Sequence, residues 1–585
     1  MILKRLYELA EREKLLDDLA FEALPMPIVV KVGVGGTYLG IEERREESPA
    51  AVGQRPSKPK RGPGKEMAVP KPHGNTANAG FSRYFADTLP RVLPVNDEAK
   101  SVASRRTFWK QMEEAAAASG DPALLAVSEF GQALMRNEKL AERLRTDVAA
   151  LNPGPGDRCT FAWSADEGLT ILERPKVQDW WRKFYSNFNQ ERQAHGPRGI
   201  CQITGILGPV ATVHATRIQS IPNGLSSGVS LVSNDKQAFE SYGLDGAANA
   251  AIGYRAAEGY TRAIQALVRE RFSRSKIVSG GDVFLFWSQK QSGADDLLAC
   301  LEGTDPAIVA KLFESSENGS EANAPAEDTF FCLVLSASGA RAVVRDYLER
   351  PISEVKENLR RWFSDLRITS PLGNEICNIY PLWQLALATA LDKDSVSPTT
   401  PPQLLATAIR GTRPGDNILA ACVRRLQAEG TRGFTSVRIG LVKLILLRKG
   451  ITMSDVVMES GSPAYVCGRL MAVFERAQWG ALGDVNANVV DKFYSTASTA
   501  PGLILPRLFK SAQQHISKLE NDKPGMAVNI KKDLEDLSCQ VREFPQLLGL
   551  DQQGEFALGF YHQRAEYRRQ GAASRERREE QERVR

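Results

Sequence analysis

The spacing of apolar residues changes near position 350 and divides this chain into two kinds of structure. From residue 351 to residue 585, apolar side chains recur every three or four positions, which is the spacing of one face of an α-helix. Residues 157–350 instead mix short strand-like runs with helical segments. The sequence therefore predicts an α+β fold, with a mixed α/β N-terminal and central region followed by an all-α C-terminal helical bundle. One amphipathic stripe in the bundle comprises Leu503, Ile504, Leu505, Leu508, Phe509, Ala512, Ile516 and Leu519.

Four domains are predicted from these changes in pattern. They are an N-terminal α+β domain at 1–150 with a basic loop at 54–83, a central mixed α/β domain at 151–350, a helical connecting region at 351–452 and a C-terminal helical bundle at 453–585. Helices are predicted at 2–20, 97–119, 121–149, 175–190 and 247–272. Strands are predicted at 27–32, 37–41, 158–163, 169–172, 199–204, 209–214, 282–287 and 328–336, the first two forming a hairpin.

A basic, proline-rich segment interrupts the N-terminal domain. Residues 54–72 contain six basic residues, one acidic residue and five prolines. Because proline is excluded from helix interiors and central strands, we expect this segment to be an exposed loop. It continues into small and polar residues at 73–80. The formal net charge of the whole chain is only +5. A nucleic-acid partner would therefore have to bind a local cluster of basic residues such as this segment.

The sequence carries no familiar catalytic or metal-binding motif. It contains no P-loop, HExxH or GxSxG motif, and none of its eight cysteines forms a CxxC pair. Its five histidines do not combine at a metal-ligand spacing. Cys201 and His214 would suit a Cys-dependent hydrolase if two strands brought them together. Nothing local marks Cys201 as activated, so we expect no enzyme activity, no metal and no cofactor.

The chain is expected to be cytoplasmic and not bound to a membrane. Its first residues lack the apolar core of a signal peptide, and no apolar run is long enough to span a bilayer. The scattered cysteines are typical of reduced thiols in a cytosolic protein.

Short motifs follow one another in a distinctive order between residues 200 and 262. They are 200–205 (ICQITG), 213–214 (VH), 226–228 (SSG), 231–234 (LVSN), 238–243 (AFESYG), Asn249 and 255–261 (RAAEGYT). Further motifs are 284–287 (FLFW), 335–341 (LSASGAR), 462–470 (SPAYVCGRL) and 491–494 (DKFY). This ordered series resembles the large-subunit family of the type I-C CRISPR surveillance complex (Cascade). The resemblance covers nearly the whole chain, and the 54–72 loop departs from it by its length.

The resemblance implies a non-catalytic subunit of an RNA-guided antiviral complex. Its partners would be CRISPR RNA, the backbone and RNA-processing subunits, target double-stranded DNA with its displaced single strand, and a separate helicase-nuclease. The subunit would recognise the short PAM motif in duplex DNA, aid strand separation and R-loop stabilisation, and recruit the helicase-nuclease. Two alternatives remain open at this point, the Cys-His-dependent hydrolase and an RNA-binding scaffold without DNA recognition.

The basic segment and the polar residues after it are the candidate PAM-proximal interface. Lysine and arginine contact phosphates, whereas asparagine can hydrogen-bond base edges, so we expect Asn75 and Asn78 at or near the PAM. The predicted duplex-binding residues are Lys58, Lys60, Arg61, Lys65, Lys71, His73, Asn75, Thr76, Asn78 and Arg83. A second group, with a nucleic-acid or a structural role, comprises Gln202, Thr204, His214, Ser226, Ser227 and Asn234.

The C-terminal bundle carries a second candidate surface. On the helix after Pro501, Arg507, Lys510 and Lys518 share one face opposite the apolar stripe, and Arg469 and Arg476 share a face of another helix. Such stripes suit a groove for single-stranded DNA, although a solvated bundle surface would look the same. The resemblance also implies a separate small-subunit product made by internal initiation, for which Met453 is well placed.

Overall fold

In the computed structural model, the chain is divided into two units. The first unit comprises Met1–Thr216 and Val232–Ala263, and the second comprises Arg217–Leu231 and Ile264–Arg585. The predicted α+β fold is confirmed, with small sheets followed by a helical C-terminal region. The structure describes residues 2–45, 62, 64–74, 78, 80–166, 168–214, 217–225, 227–234, 238, 249–271, 275–279, 281–290, 328–377, 379–459 and 461–584. The division into four domains stays a prediction.

Among its described residues, the first unit contains six complete α-helices, a seventh that belongs to it as far as Ala263, and eight strands. The helices are α1 (Ile2–Arg12), α2 (Leu89–Val92), α3 (Ala99–Ser119), α4 (Pro122–Arg136), α5 (Glu138–Ala150), α6 (Pro175–Ala194) and α7 (Tyr254–Val268). The strands are β1 (Phe21–Met26), β2 (Ile28–Val32), β3 (Tyr38–Glu43), β4 (Lys65–Pro70), β5 (Asp87–Thr88), β6 (Arg158–Trp163), β7 (Arg198–Ile200) and β8 (Leu207–Pro209).

A four-stranded sheet in the order β3-β2-β6-β5 forms the centre of the first unit. The predicted hairpin is confirmed, because β2 and β3 pair antiparallel with Val30 opposite Ile41. β2 also pairs in parallel with β6, and a parallel pair needs a long crossover, which α3 to α5 help to supply. The rings of Trp109, Phe130 and Phe161 pack together in the core between these helices and the sheet.

Several element boundaries differ from the sequence-based prediction. The helix predicted at 2–20 ends at Arg12, and the backbone turns at Lys14 with a φ of 53°. The helix predicted at 121–149 is two helices, because Asn137 ends α4 and caps α5 by accepting a hydrogen bond from the Leu140 amide. The strand predicted at 169–172 is wrong, since Ile171–Glu173 forms a 3-10 turn capped by Thr170.

Part of the predicted exposed loop at 54–72 is a strand. Residues 65–70 form β4, which pairs antiparallel with β1 and buries Met67 and Val69. These two apolar residues have the period-two spacing of a strand, and the one proline within the strand, Pro70, is its last residue. Residues 46–61 and 63 lie outside the described part of the chain.

The second unit contains a small sheet and a long helical region. Strands β9 (Lys276–Ser279), β10 (Asp282–Ser288), β11 (Thr329–Ser338) and β12 (Arg341–Pro351) form an antiparallel sheet in the order β12-β11-β10-β9, and β13 (Ile368–Thr369) pairs with β14 (Ile376–Cys377). The helices are α8 (Ile352–Leu366), α9 (Leu382–Leu387), α10 (Thr400–Arg410), α11 (Asp416–Glu429), α12 (Ser436–Arg448), α13 (Pro463–Leu482), α14 (Val489–Thr499), α15 (Pro501–Asp522), α16 (Pro524–Ser538) and α17 (Leu550–Val584).

Helices α13 and α17 approach each other closely in the core of the second unit. They run in the same direction, because Ser462 bonds Glu555 near one end and Arg476 lies over Tyr567 further along. A Cβ atom at Gly468 would overlap the Phe556 carbonyl, and one at Gly559 would overlap the Tyr465 carbonyl. The two glycines therefore allow backbone-to-backbone contact between these helices.

Replacing Gly468 with alanine should destabilise the second unit. Alanine favours a helix over glycine by about 1 kcal/mol, but overpacking a tight core costs about 1–3 kcal/mol, so we expect a net loss of up to about 2 kcal/mol. Denaturant unfolding of the full chain would measure it. The control is Gly571→Ala on α17, where a Cβ meets nothing within 4 Å and stability should be unchanged or slightly higher. Equal stability of both variants would contradict the close-packing account.

Candidate nucleic-acid interface

The structure describes only part of the predicted PAM-proximal residues. Lys58, Lys60, Arg61, Asn75 and Thr76 lie outside the described residues, as does Ser226 of the second group. The remaining members are Lys65, Lys71, His73, Asn78 and Arg83. These five residues separate into two exposed side chains and three that belong to the interior or its edge.

Lys65 and Asn78 are exposed. Lys65 begins β4, its side chain is 57% exposed, and its ammonium lies 3.9 Å from a carboxylate oxygen of Glu173. Such a loose surface ion pair holds a lysine weakly, so the ammonium remains available to a phosphate. Asn78 is exposed, and it lies in a turn in which its backbone carbonyl accepts a hydrogen bond from the Phe81 amide at 3.2 Å.

Lys71 and Arg83 are engaged in interior ion pairs. The Lys71 ammonium is buried and bonds the carboxylate of Glu258, while Arg83 bonds Glu22 and the Pro70 carbonyl. Burial lowers the pKa of Lys71, and the Glu258 carboxylate acts in the opposite direction. These ion pairs therefore hold the two ends of the segment 71–83 in place. Their charged groups face other protein residues in the structure.

His73 is enclosed by aromatic rings. Its ring centroid lies 5.1 Å from that of Tyr84, and its Nε2 is 3.2 Å from the Gln111 amide nitrogen. Burial lowers the pKa of His73, so the ring stays neutral at physiological pH. The other rings around it belong to Phe81, Trp181, Phe184 and Phe188.

The aromatic cluster anchors the start of the polar stretch at 73–80. Three of its rings come from α6, where Trp181, Phe184 and Phe188 are spaced by three and four residues and so share one helix face. That periodicity is visible in the sequence and indicates a packing face on α6, but only the structure shows that His73 packs against it. The structure therefore shows His73 packed among aromatic side chains, and its contact with DNA stays a prediction.

The second predicted group does not form one site. Gln202 and Thr204 lie in the turn between β7 and β8 of the first unit, where the Gly205 amide donates to the Cys201 carbonyl at 2.8 Å. Asn234 also belongs to the first unit and is half-buried, whereas Ser227 is an exposed residue of the second unit. The β7–β8 hairpin leaves Ile200, Ile206 and Leu207 exposed.

The geometry gives no support to a Cys201–His214 catalytic pair. His214 is buried, its Nδ1 bonds the Tyr260 hydroxyl, and its Nε2 has no hydrogen-bond partner among the described residues. Burial lowers the pKa of His214, which the Glu258 carboxylate partly opposes. Burial raises the pKa of the Cys201 thiol, but hydrogen bonds from Thr204 and from neighbouring backbone groups outweigh it, and the net shift is downward.

The C-terminal arginines and lysines occupy three different settings. Arg507, Lys510 and Lys518 are exposed along α15, on the side opposite the buried Leu505, Leu508 and Ile516, so the predicted division of this helix into two faces is confirmed. Leu503 of the predicted apolar stripe is the exception, because it is exposed.

Arg469 and Arg476 are held by neighbouring groups. Arg469 donates to the Gln563 side chain and to the Met458 carbonyl, each at 2.8 Å, and so has a structural role in the described bundle. Arg476 lies with its guanidinium 3.9 Å from the centre of the Tyr567 ring, at the side of a groove. Arg564, Arg568 and Arg575 line the same groove, although the sequence alone did not single them out.

Two further properties bear on the class of protein. Among the described residues, no group of three or more His, Cys, Asp or Glu is arranged to hold a metal ion. Over the same residues, none of the helices is both long and apolar enough to cross a membrane.

Comparison with known proteins identifies the class. A family described as CRISPR-associated protein (Cas_Csd1) matches residues 3–568, which is nearly the whole chain. The protein is therefore CRISPR-associated, as the motif series between residues 200 and 262 predicted. More particularly, the chain belongs to the Cas_Csd1 family. No curated protein matches it.

The different settings of Lys71 and Lys65 predict different effects of substitution. Lys71→Ala would remove the buried ammonium that pairs with Glu258, and breaking a buried ion pair costs about 3–5 kcal/mol. Lys65→Ala removes an exposed charge and should change stability by less than about 0.5 kcal/mol. Denaturant unfolding of the two variants measures both effects. Equal stability of the two variants would show that Lys71 does not fasten the segment.

Proposed function

We propose that this chain is the non-catalytic large subunit of an RNA-guided type I-C CRISPR antiviral complex. In that role it recognises the PAM in duplex DNA, aids strand separation and R-loop stabilisation, and recruits the helicase-nuclease. Its partners are CRISPR RNA, the backbone and RNA-processing subunits, target DNA and the displaced strand. The observation that carries the proposal is membership of the Cas_Csd1 family over residues 3–568, together with the ordered motifs that resemble the type I-C large subunit.

In RNA-guided recognition, the guide RNA and the protein recognise different parts of the DNA, and this determines which contacts the protein must make. Base pairing reads the target, so the protein needs only a few contacts to base edges beside the target, together with a grip on the backbone. The basic segment supplies charge through Lys58, Lys60, Arg61 and the exposed Lys65. Asn75 and the exposed Asn78 supply amides that can hydrogen-bond bases.

The contacts at the two ends of the segment 73–83 favour DNA recognition by the residues between them. His73 lies among aromatic rings at one end of the polar stretch, and Arg83 is ion-paired to Glu22 at the other end. Holding both ends lowers the conformational entropy lost when Asn75 and Asn78 bind DNA. The structural roles of His73 and Arg83 therefore serve recognition indirectly, by positioning the residues between them.

Replacing both Asn75 and Asn78 with alanine should reduce discrimination between flanking sequences. A bidentate contact to a base contributes about 1–3 kcal/mol of discrimination, so the assembled complex should lose about 5- to 150-fold in preference for its best flank. Binding of duplexes with a randomised flank by the complex measures this preference. Unchanged discrimination would exclude both asparagines as readers of the PAM.

The matched control for that experiment is Lys65→Ala. A phosphate contact carries no sequence information, so this variant should weaken binding to all flanks alike. The slope of log affinity against log salt should become shallower by about one. A change in flank preference in Lys65→Ala would contradict the assignment of this lysine to the phosphate backbone.

We also propose that a small-subunit product begins at Met453. Residues 453–585 contain α13 to α17, and α13 packs against α15, α16 and α17 within this segment. The product would therefore carry most of the contacts of its own helical core. It would retain the exposed Arg507, Lys510 and Lys518 of α15.

Met453→Leu provides a test of the internal start that preserves the fold. Met453 is 8% exposed and packs in the core, and leucine has a similar volume. With a leucine codon that does not initiate translation, blotting for a C-terminal tag should show the full-length chain without the short band. Met458→Leu is the matched control and should keep the band. Persistence of the band in Met453→Leu would place the start elsewhere.

A further inference from the structure

The segment 71–83 starts and ends at the same place in the first unit. The chain leaves β4 after Pro70, and the Arg83 guanidinium donates back to the Pro70 carbonyl at 3.2 Å. When the two ends of a short segment lie together, the entropy of closing it is lost on folding and not on binding. The position of the residues within the segment is therefore set by the groups that bind its two ends.

Each end of the segment is held by an ion pair of low exposure. At the first end, the Lys71 ammonium bonds the Glu258 carboxylate of α7, and the Lys71 amide donates to the Ala20 carbonyl at 2.9 Å. At the second end, Arg83 bonds the Glu22 carboxylate of β1. The four charged side chains are at most 23% exposed, so solvent ions screen these pairs only weakly.

Arg262 connects α7 to the part of the chain between α1 and β1. It lies four residues after Glu258, and its Nε is 3.4 Å from a Glu258 carboxylate oxygen. Its two terminal nitrogens donate to the carbonyls of Leu15, Asp18 and Phe21 at 2.9, 2.9 and 2.6 Å. Because one planar guanidinium binds three carbonyls, it fixes the path of the backbone between α1 and β1.

These bonds form a closed series around the segment 71–83. Phe21, one of the carbonyls that Arg262 binds, directly precedes Glu22, which pairs with Arg83. On its other side, Arg262 meets the carboxylate that binds Lys71. Two side chains of α7 therefore hold both ends of the segment, one end directly and the other through the start of β1.

Helix α7 lies close to α1 at this point. Gly259 follows Glu258, and a Cβ atom at Gly259 would overlap the ring of Tyr7 on α1. This close approach leaves α7 little freedom to shift relative to α1. Both Glu258 and Gly259 belong to the motif 255–261 (RAAEGYT), which contains no predicted DNA-binding residue.

Glu258 and Arg262 are unsuited to a direct contact with the DNA backbone. A carboxylate repels phosphate, and the Glu258 side chain is 14% exposed and bonds Lys71 and Arg262. Arg262 is 16% exposed, and its donors face protein carbonyls. An effect of these two residues on DNA recognition would therefore pass through the segment that they hold.

We propose that Glu258 and Arg262 are positioning residues for recognition of the DNA flank. They hold the segment 71–83 so that Asn75 and Asn78 meet base edges in one register. The inference rests on the proposed function, because it concerns the support of the residues that contact the flank. A bidentate contact to a base needs a defined distance and angle, whereas a phosphate contact tolerates movement. Looser ends therefore reduce discrimination between flanks more than affinity for the backbone.

Glu258→Gln tests positioning without removing a DNA contact. Glutamine has nearly the same shape but lacks the charge that holds the Lys71 ammonium. In duplex binding by the assembled complex with a randomised flank, preference for the best flank should fall by about 2- to 30-fold, the usual range for a residue that acts through others. Because a negative charge is removed, affinity for the poorest flanks should be unchanged or slightly higher.

The matched control is Glu142→Gln, which makes the same change of charge at an exposed position of α5. This variant should keep both flank preference and affinity within about twofold of the unsubstituted complex.

Lys71→Met shows whether Glu258 acts through this lysine. Glutamine at position 258 still accepts a hydrogen bond from Arg262, so the effect of Glu258→Gln should pass through Lys71. The double variant Lys71→Met/Glu258→Gln should then lose no more flank preference than Lys71→Met alone. The double variant also leaves no unpaired lysine charge in the interior, so it should fold even where Glu258→Gln does not. Losses that simply add would contradict the assignment.

Arg262→Lys tests the connection to the second end of the segment. Lysine keeps the positive charge, but an ammonium on a flexible chain does not reproduce planar donation to three carbonyls. Flank preference should again fall by about 2- to 30-fold. Arg136→Lys, at an exposed position of α4, is the matched control and should leave it unchanged. Equal flank preference in the two variants would remove Arg262 from the assignment.

Two results would overturn the positioning role of Glu258. One is unchanged flank preference in both Glu258→Gln and the double variant. The other is an equal loss of affinity for every flank, which would mean that Glu258 supports the complex as a whole. Failure of the proposed function would look different, because the unsubstituted complex would then select no flank.

Discussion

The direct contact between the backbones of α13 and α17 is the constraint on which the second unit depends. Gly468 and Gly559 let each helix approach the carbonyls of the other, and this contact fixes the register of the long helix α17. On one side of the contact, Phe556 and Phe560 pack around Tyr494 in the core. Further along α17, the same register brings Tyr567 under Arg476 and puts Arg568 and Arg575 along the groove. Core packing and the arginine-lined groove therefore share one helix pair.

In the first unit, charged side chains from α7 take a similar organising role. Arg262 donates to the carbonyls of Leu15, Asp18 and Phe21, and the neighbouring Glu258 pairs with the buried Lys71. These bonds fix the segment after α1 and the end of β4 to the same helix. Such buried pairs cost desolvation free energy, and their value here lies in holding particular chain segments in particular places. The recognition element that we propose between His73 and Arg83 would rest on this support.

Apolar periodicity was sufficient to predict much of this fold. It predicted the helical region after residue 351, the two faces of α15, and the β2–β3 hairpin. It failed where long-range contacts override local signals. The helix predicted to continue to residue 20 ends at Arg12, and Arg262 binds the carbonyls of Leu15 and Asp18 beyond that end. The strand β4 was missed because prolines around it were read as a loop, although Met67 and Val69 have strand spacing.

The candidate sites were harder to predict because exposure cannot be read from residue type. Lys65 and Lys71 look alike in the sequence, yet one is exposed and the other is buried against Glu258. The groove is assembled from Trp479 and from arginines of α17 that are distant in the chain, and only the crossing of α13 and α17 brings them together. The aromatic face of α6 is visible in the sequence, but its contact with His73 joins residues more than a hundred positions apart and is seen only in the structure.

Duplex binding by the CRISPR RNA complex, assembled with and without this chain, tests the central claim most directly. The targets would be matched to the guide and would carry a randomised flanking motif, and the bound fraction would be sequenced. The account predicts that selection of a short flank appears only when the chain is present. The same flank preference in the complex that lacks the chain would show that another subunit reads the PAM, and would contradict the account.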